Sequence, residues 1–118
     1  MEIRAHKVNG ERIAEILSDD IVIADAGDGL DLLGDLYYQE FDRIIVHERN
    51  IIPEFFDLKT GIAGEILQKF SNYRVRLAIV GNFDAYQGKS IRDFMLESNK
   101  AGQINFVDST ATALERLA

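Results

Sequence analysis

Three short β-branched runs, separated by stretches with helical period, constrain this chain more than any other feature. Arg43-Ile44-Ile45-Val46-His47, Val75 to Val80 and Ile104 to Val107 are nearly continuous apolar segments, as expected of strands covered on both faces. Before the first run, Leu30, Leu33, Leu36, Tyr37 and Phe41 recur at helical spacing. Between the first and second, Ile62, Ala63, Ile66, Leu67 and Phe70 do the same. Parallel strands need a long crossover, usually a helix, and such crossovers are almost always right-handed. The order therefore predicts an α/β fold with a mixed, mostly parallel sheet and about four helices.

The chain opens differently. Ile3 to Val8 and Arg12 to Leu17 flank Asn9-Gly10, a pair suited to the positive φ angles of a type I′ turn, so an N-terminal β-hairpin is expected. After Ser18-Asp19-Asp20, the run Ile21-Val22-Ile23 reads as a short third strand or, as the alternative, an extended lead-in to the next helix. A first helix is expected from Asp28 to Phe41, capped by Asp25 or Asp28. The second begins near Asp57, with Gly61 and Gly64 allowing close packing. Ser90-Ile91-Arg92-Asp93 has the form of a capping box for a third helix reaching about Ala101. Asp108-Ser109 starts a terminal helix carrying Leu114 and Leu117. With no repeat, linker or low-complexity tract, the 118 residues read as one domain, 1–118.

Composition excludes several classes of function. A formal net charge of −7 disfavours attraction to nucleic acid or an anionic membrane. The acids concentrate from Asp19 to Asp42, where eight occur without a Lys or Arg, giving either a solvated helix face or a patch that steers a basic partner. The chain has no cysteine, which removes disulfides, thiolate nucleophiles and sulfur-ligated metals. Neither a signal-type N-terminus nor a long apolar segment is present, so the protein reads as cytoplasmic.

Ligands in open α/β sheets bind beyond the carboxyl ends of the parallel strands, which directs attention to three segments. At Asp57-Leu58-Lys59-Thr60-Gly61 a helix entrance offers free N–H groups and a positive dipole end to an anion or a phosphate. The alternative is that Asp57 caps the helix and Lys59 and Thr60 are ordinary first-turn residues. His47 beside Glu48 suggests acid/base chemistry, yet adjacent strand residues point to opposite faces. Gly81-Asn82-Phe83-Asp84 follows the next strand and contributes Asn82 and Asp84. A phosphate-binding P-loop is disfavoured, because Gly81 and Gly88 enclose six residues where that motif has four. With His6 and His47 the only histidines, no metal site and no cofactor are expected. Nothing marks a hydrolase either, since no G-x-S-x-G elbow is present.

Phe55-Phe56-Asp57-Leu58-Lys59-Thr60-Gly61-Ile62 resembles STAS domains, the modules of sulfate transporters and anti-sigma-factor antagonists. In that family a strand precedes hydrophobic-hydrophobic-Asp-Ser-Ser/Thr-Gly-hydrophobic, which opens a helix. Leu77-Ala78-Ile79-Val80-Gly81 and Ile104 to Ser109 are similar to its later strands. More closely, FFDLKTGIAGEILQKFSNYRVRLAIVG resembles an uncharacterised bacterial family named only as domain of unknown function 4180. In anti-sigma-factor antagonists the residue after the Asp is a phosphorylatable Ser. Here Leu58 follows Asp57, one extra residue precedes Gly61, and Thr60 supplies the hydroxyl beside the glycine. The resemblance implies a STAS-like regulatory or interaction module, binding a protein partner or small anion at Asp57-Gly61. A second reading is a small metabolite-binding protein or enzyme using His47, Glu48, Asp57, Lys59 and Asp84. A third is oligomerisation, as a homodimer, through Ile51, Ile52 and Phe55 if these are exposed.

Overall fold

A computed structural model describes residues 1–118. Strands β1 (Glu2–Val8) and β2 (Glu11–Leu17) form the hairpin and are followed by helix α1 (Ala26–Tyr38) and strand β3 (Arg43–His47). Helix α2 (Ile62–Asn72), β4 (Arg76–Val80), α3 (Lys89–Ala101), β5 (Ile104–Val107) and α4 (Thr110–Leu117) complete the chain. The sheet order is β1-β2-β3-β4-β5, antiparallel at β1/β2 and parallel elsewhere. Asn9 and Gly10 have φ of 53° and 82°, as a type I′ turn requires, and β1 and β2 stay in register from Glu2↔Leu17 to Val8↔Glu11.

Alternation along the strands divides the core in two. Ala14, Ile16, Ile44, Val46, Leu77, Ile79, Ile104 and Phe106 face one side and pack against α1, α2 and α3 in a cluster of 22 buried residues. The intervening Ile13, Ile45, Ala78 and Val107 face the other side, where only α4 covers them through Ala113 and Leu117. Each β-branched run is nearly continuously apolar because both faces of its central residues are dry. At the amino ends of β3 and β4, two arginines hold the last turn of α4. Arg43 Nε donates to Leu117 O at 2.5 Å and Arg76 Nη2 to Arg116 O at 2.7 Å, placing cations where the helix dipole is negative. The outer edge of β5 is closed by Asn99, whose Oδ1 accepts from Phe106 N–H at 2.7 Å while its Nδ2 donates to Phe106 O at 3.2 Å.

Several local expectations are corrected. Ile21-Val22-Ile23 is not a strand: Ile23 makes one isolated bridge with Ile51. The reason is that the segment spends its backbone bonds on one turn, Val22 and Ile23 N–H both reaching Asn50 O. Ile51 and Phe55 are buried, and Ile52 is half-buried, so the trio is not the exposed apolar patch expected for self-association. Gly64 faces open space. The close helix contact is at Gly29, where an added Cβ would lie 3.1 Å from Ile66 Cγ1. Asp25 caps α1, its Oδ1 accepting from Asp28 N–H at 2.8 Å, so the helix starts at Ala26, two residues before the expected Asp28.

Candidate functional site

The Asp57 to Gly61 junction folds as a 3-10 turn (Leu58–Thr60) set ahead of α2. Asp57 does not cap α2. Its Oδ1 accepts from Lys59 N–H at 3.2 Å, capping the short turn, and Gly61, in the left-handed region at φ 79°, reverses the chain into the helix. Thr60 supplies the bond that would otherwise come from a cap: its Oγ1 accepts from Ile62 N–H at 3.3 Å. The same hydroxyl lies 2.9 Å from both Glu54 O and Asp57 O and donates between them. Thr60 is exposed, yet its oxygen is committed on every side.

Facing this turn is the entrance of α3. Ser90 is not its cap, because the helix begins one residue earlier, at Lys89, with Gly88 in the cap position and no side-chain bond to the first turn. Lys89 instead pairs with Asp93, Nζ to Oδ2 at 2.6 Å. Without a side-chain cap the first N–H groups of α3 stay unpaired within the helix. Asp57, Leu58 and Lys59 from one entrance, and Gly88, Lys89 and Ser90 from the other, line a groove of about 740 Å³. Thr60 and Gly61 do not line it.

His47 and Glu48 diverge, although the strand has already ended between them: His47 closes β3 and Glu48 opens a 3-10 turn (Glu48–Asn50). Glu48 turns towards the β4–α3 loop, where Oε1 accepts from Asn82 N–H at 3.2 Å and Oε2 from the Tyr86 hydroxyl at 3.1 Å. Burial, and then the bond to Glu48 and its charge, raise the Tyr86 hydroxyl above the usual tyrosine range. A Cβ at Gly81 would come within 2.6 Å of Glu48 Cβ, so only glycine allows this approach. Phe56 stacks on Tyr86 with centroids 4.3 Å apart, fixing the loop from its other side. Glu48 is thus a fastener of that loop.

His47 turns to the face that α4 only partly covers. There its Nε2 lies 2.8 Å from Glu15 Oε2, while His6 Nε2 lies 2.8 Å from Glu15 Oε1. Glu15 is 4% exposed. Burial alone pushes its carboxyl up, but the bonds from His47 and His6, together with their charges, outweigh burial and hold it below the usual carboxylate value. An ionised carboxylate only accepts, so both rings present N–H at Nε2. Glu15 and His6 were not anticipated as a group. A charge between Ile13 and Leu17 on one face of β2 was the available signal, but its partners depend on strand pairing.

The expected site residues therefore separate. Asp57 and Lys59 belong to the groove between the helix entrances, whereas His47, Asn82 and Asp84 line a second cleft of about 990 Å³ at the carboxyl ends of β3, β4 and β5. Glu48 lines neither of these. An enzyme site combining His47, Glu48, Asp57 and Lys59 is not formed. No group of three or more His, Asp or Glu is arranged to hold a metal ion, and no helix is long and apolar enough to cross a membrane.

An antiparallel hairpin leading into a parallel sheet, with three helices on one face and the terminal helix on the other, defines a STAS-like α/β fold. The same architecture occurs in a Thermotoga maritima protein described as a "putative anti-sigma factor antagonist", with a TM-score of 0.53 and 13% identity over 98% of this chain and 93% of that one. The chain itself belongs to the family described as Domain of unknown function (DUF4180), whose model matches residues 8–117. No curated protein matches the sequence.

Proposed function

We propose that this chain is a STAS-like regulatory or interaction module that engages a protein partner, or a small anion carried by one, at the Asp57-Gly61 entrance. The observation that carries this reading is the meeting of the 3-10 turn ahead of α2 with the uncapped entrance of α3 at one groove, which Lys59 lines from one element and Lys89 from the other. The unpaired N–H groups and positive dipole end of α3, with the ammonium group of Lys59 across the groove, favour an anionic side chain or phosphate there. The Thermotoga neighbour, described as an anti-sigma factor antagonist, supports a regulatory role. A phosphoswitch at Thr60 would act by breaking the turn, since a phosphoryl group removes the proton that Glu54 O and Asp57 O share.

The test is recovery of partners from the native cell with tagged wild type, Lys59→Ala/Lys89→Ala, Thr60→Ala and Thr60→Glu. Loss of a partner with the lysine double variant is expected, together with a difference between the two Thr60 variants. Identical recovery from all four refutes the assignment.

A further inference from the structure

We propose that the cleft at the carboxyl ends of β3, β4 and β5 binds a small organic acid that also carries a hydroxyl or amino group. The first ground is the use the fold makes of its interior polar groups. Only four polar residues are buried, Glu15, Asn50, Ser98 and Asn105, and three of them bond to groups that line this cleft. Glu15 fixes the His47 ring at 2.8 Å. Asn50, fully buried, accepts from His47 N–H at 3.2 Å and donates to Ser18 O and Asp20 O, setting the turn after β3. Asn105, also fully buried, accepts from Arg116 Nε and Nη2 at 3.0 and 2.7 Å. Buried polar groups are costly unless bonded; here Glu15 and Asn105 hold the lining side chains of His47 and Arg116 from behind and Asn50 holds the His47 backbone, as a preorganised site requires.

The second ground is position and size. The cleft lies where open α/β sheets bind ligands, and its volume of about 990 Å³ suits a metabolite. Charge sets the chemical class. Arg49 uses only Nε, on Ser18 O at 3.3 Å, leaving its terminal nitrogens for an anionic group. Asp84 and Asp108 line the same cleft with exposed carboxylates, placed to accept from a hydroxyl or an amine on the ligand.

The test is a ¹H–¹⁵N and imidazole NMR titration of the full chain with malate, serine and 3-phosphoglycerate at millimolar concentration. Saturable shifts at His47, Asn82 and Asp84 with at least one probe are expected. Binding should weaken about ten-fold in Arg49→Ala, the effect of losing one charge-assisted hydrogen bond. Arg49 is exposed, so that variant should keep the wild-type spectrum away from the cleft and from Ser18, whose carbonyl loses its bond to Arg49 Nε. Asp84→Asn is a second variant with the same expected direction. Absence of shifts with all three probes, or shifts confined to Lys59 and Lys89, overturns the proposal. The latter result would leave the partner groove standing, and loss of partner recovery would leave this cleft standing.

Discussion

Replacing Glu15 tests whether the His6–Glu15–His47 chain holds the sheet together. In Glu15→Ala two imidazole N–H donors at 2.8 Å lose their acceptor. Hydrogen bonds to a charged group contribute about 1.5–3 kcal/mol each. Two effects reduce the sum: removing a buried charge recovers part of its desolvation cost, and the rings, 22% and 14% exposed, regain some water. A net loss of about 2–4 kcal/mol is expected, equivalent to a fall in Tm of roughly 10 °C. Glu15→Gln keeps the shape and one acceptor, while the second ring must change tautomer, so about 1 kcal/mol is expected.

The pH dependence follows from the direction of the carboxyl shift. Because the folded-state value of Glu15 lies below its ordinary 4.5, its contribution is complete above about pH 4.5 and is lost as pH falls through the folded value. Urea denaturation of wild type and Glu15→Gln between pH 3 and 8 should show curves that converge only at the acid end. An Ala variant within about 0.5 kcal/mol of wild type, or a wild-type/Gln gap undiminished at pH 3, would refute the reasoning.

Three further substitutions probe other links. Gly81→Ala should cost about 1–3 kcal/mol by urea denaturation, because its Cβ would meet Glu48 Cβ at 2.6 Å; a neutral result would show that Glu48 moves freely. Thr60→Val should lower stability by about 1 kcal/mol and Thr60→Ser by less, since only serine retains the hydroxyl bonded to Glu54 O, Asp57 O and Ile62 N–H. Arg76→Met removes bonds to Gly102 O and Arg116 O. Faster amide exchange in α4, with α2 unchanged, is the expected outcome, and equal protection in both helices would contradict the anchoring role.

Much of the framework was legible because local rules and tertiary packing agree. The β-branched runs at Arg43, Val75 and Ile104 became β3, β4 and β5, and Asn9-Gly10 fixed the hairpin through backbone sterics alone. Discrepancies arose where a backbone group had a distant partner. Ile21-Val22-Ile23 has the composition of a strand, but Asn50 O captures two of its N–H groups. Asp57 and Ser90 are good capping residues, yet an inserted turn and an earlier start to α3 removed them from the cap positions. His47 was readable as chemically interesting. Its partner Glu15 lies 32 residues away, and only the β2/β3 pairing brings the two together.

The side-chain amide of Asn99 has a consequence for the molecule in company. Phe106 directs its N–H and C=O away from β4, where a sixth strand would add, and Asn99 occupies both. One amide thus ends the growth of the sheet at β5, in place of the charges or prolines that usually guard an edge. At the opposite edge β1 has no such seal and relies on Arg4 and Lys7. A chain lacking the Asn99 amide would present a four-residue template of Ile104-Asn105-Phe106-Val107, three of them apolar, to every neighbouring copy. The same side chain that lines the cleft therefore also occupies the edge groups of Phe106 through which another strand would pair.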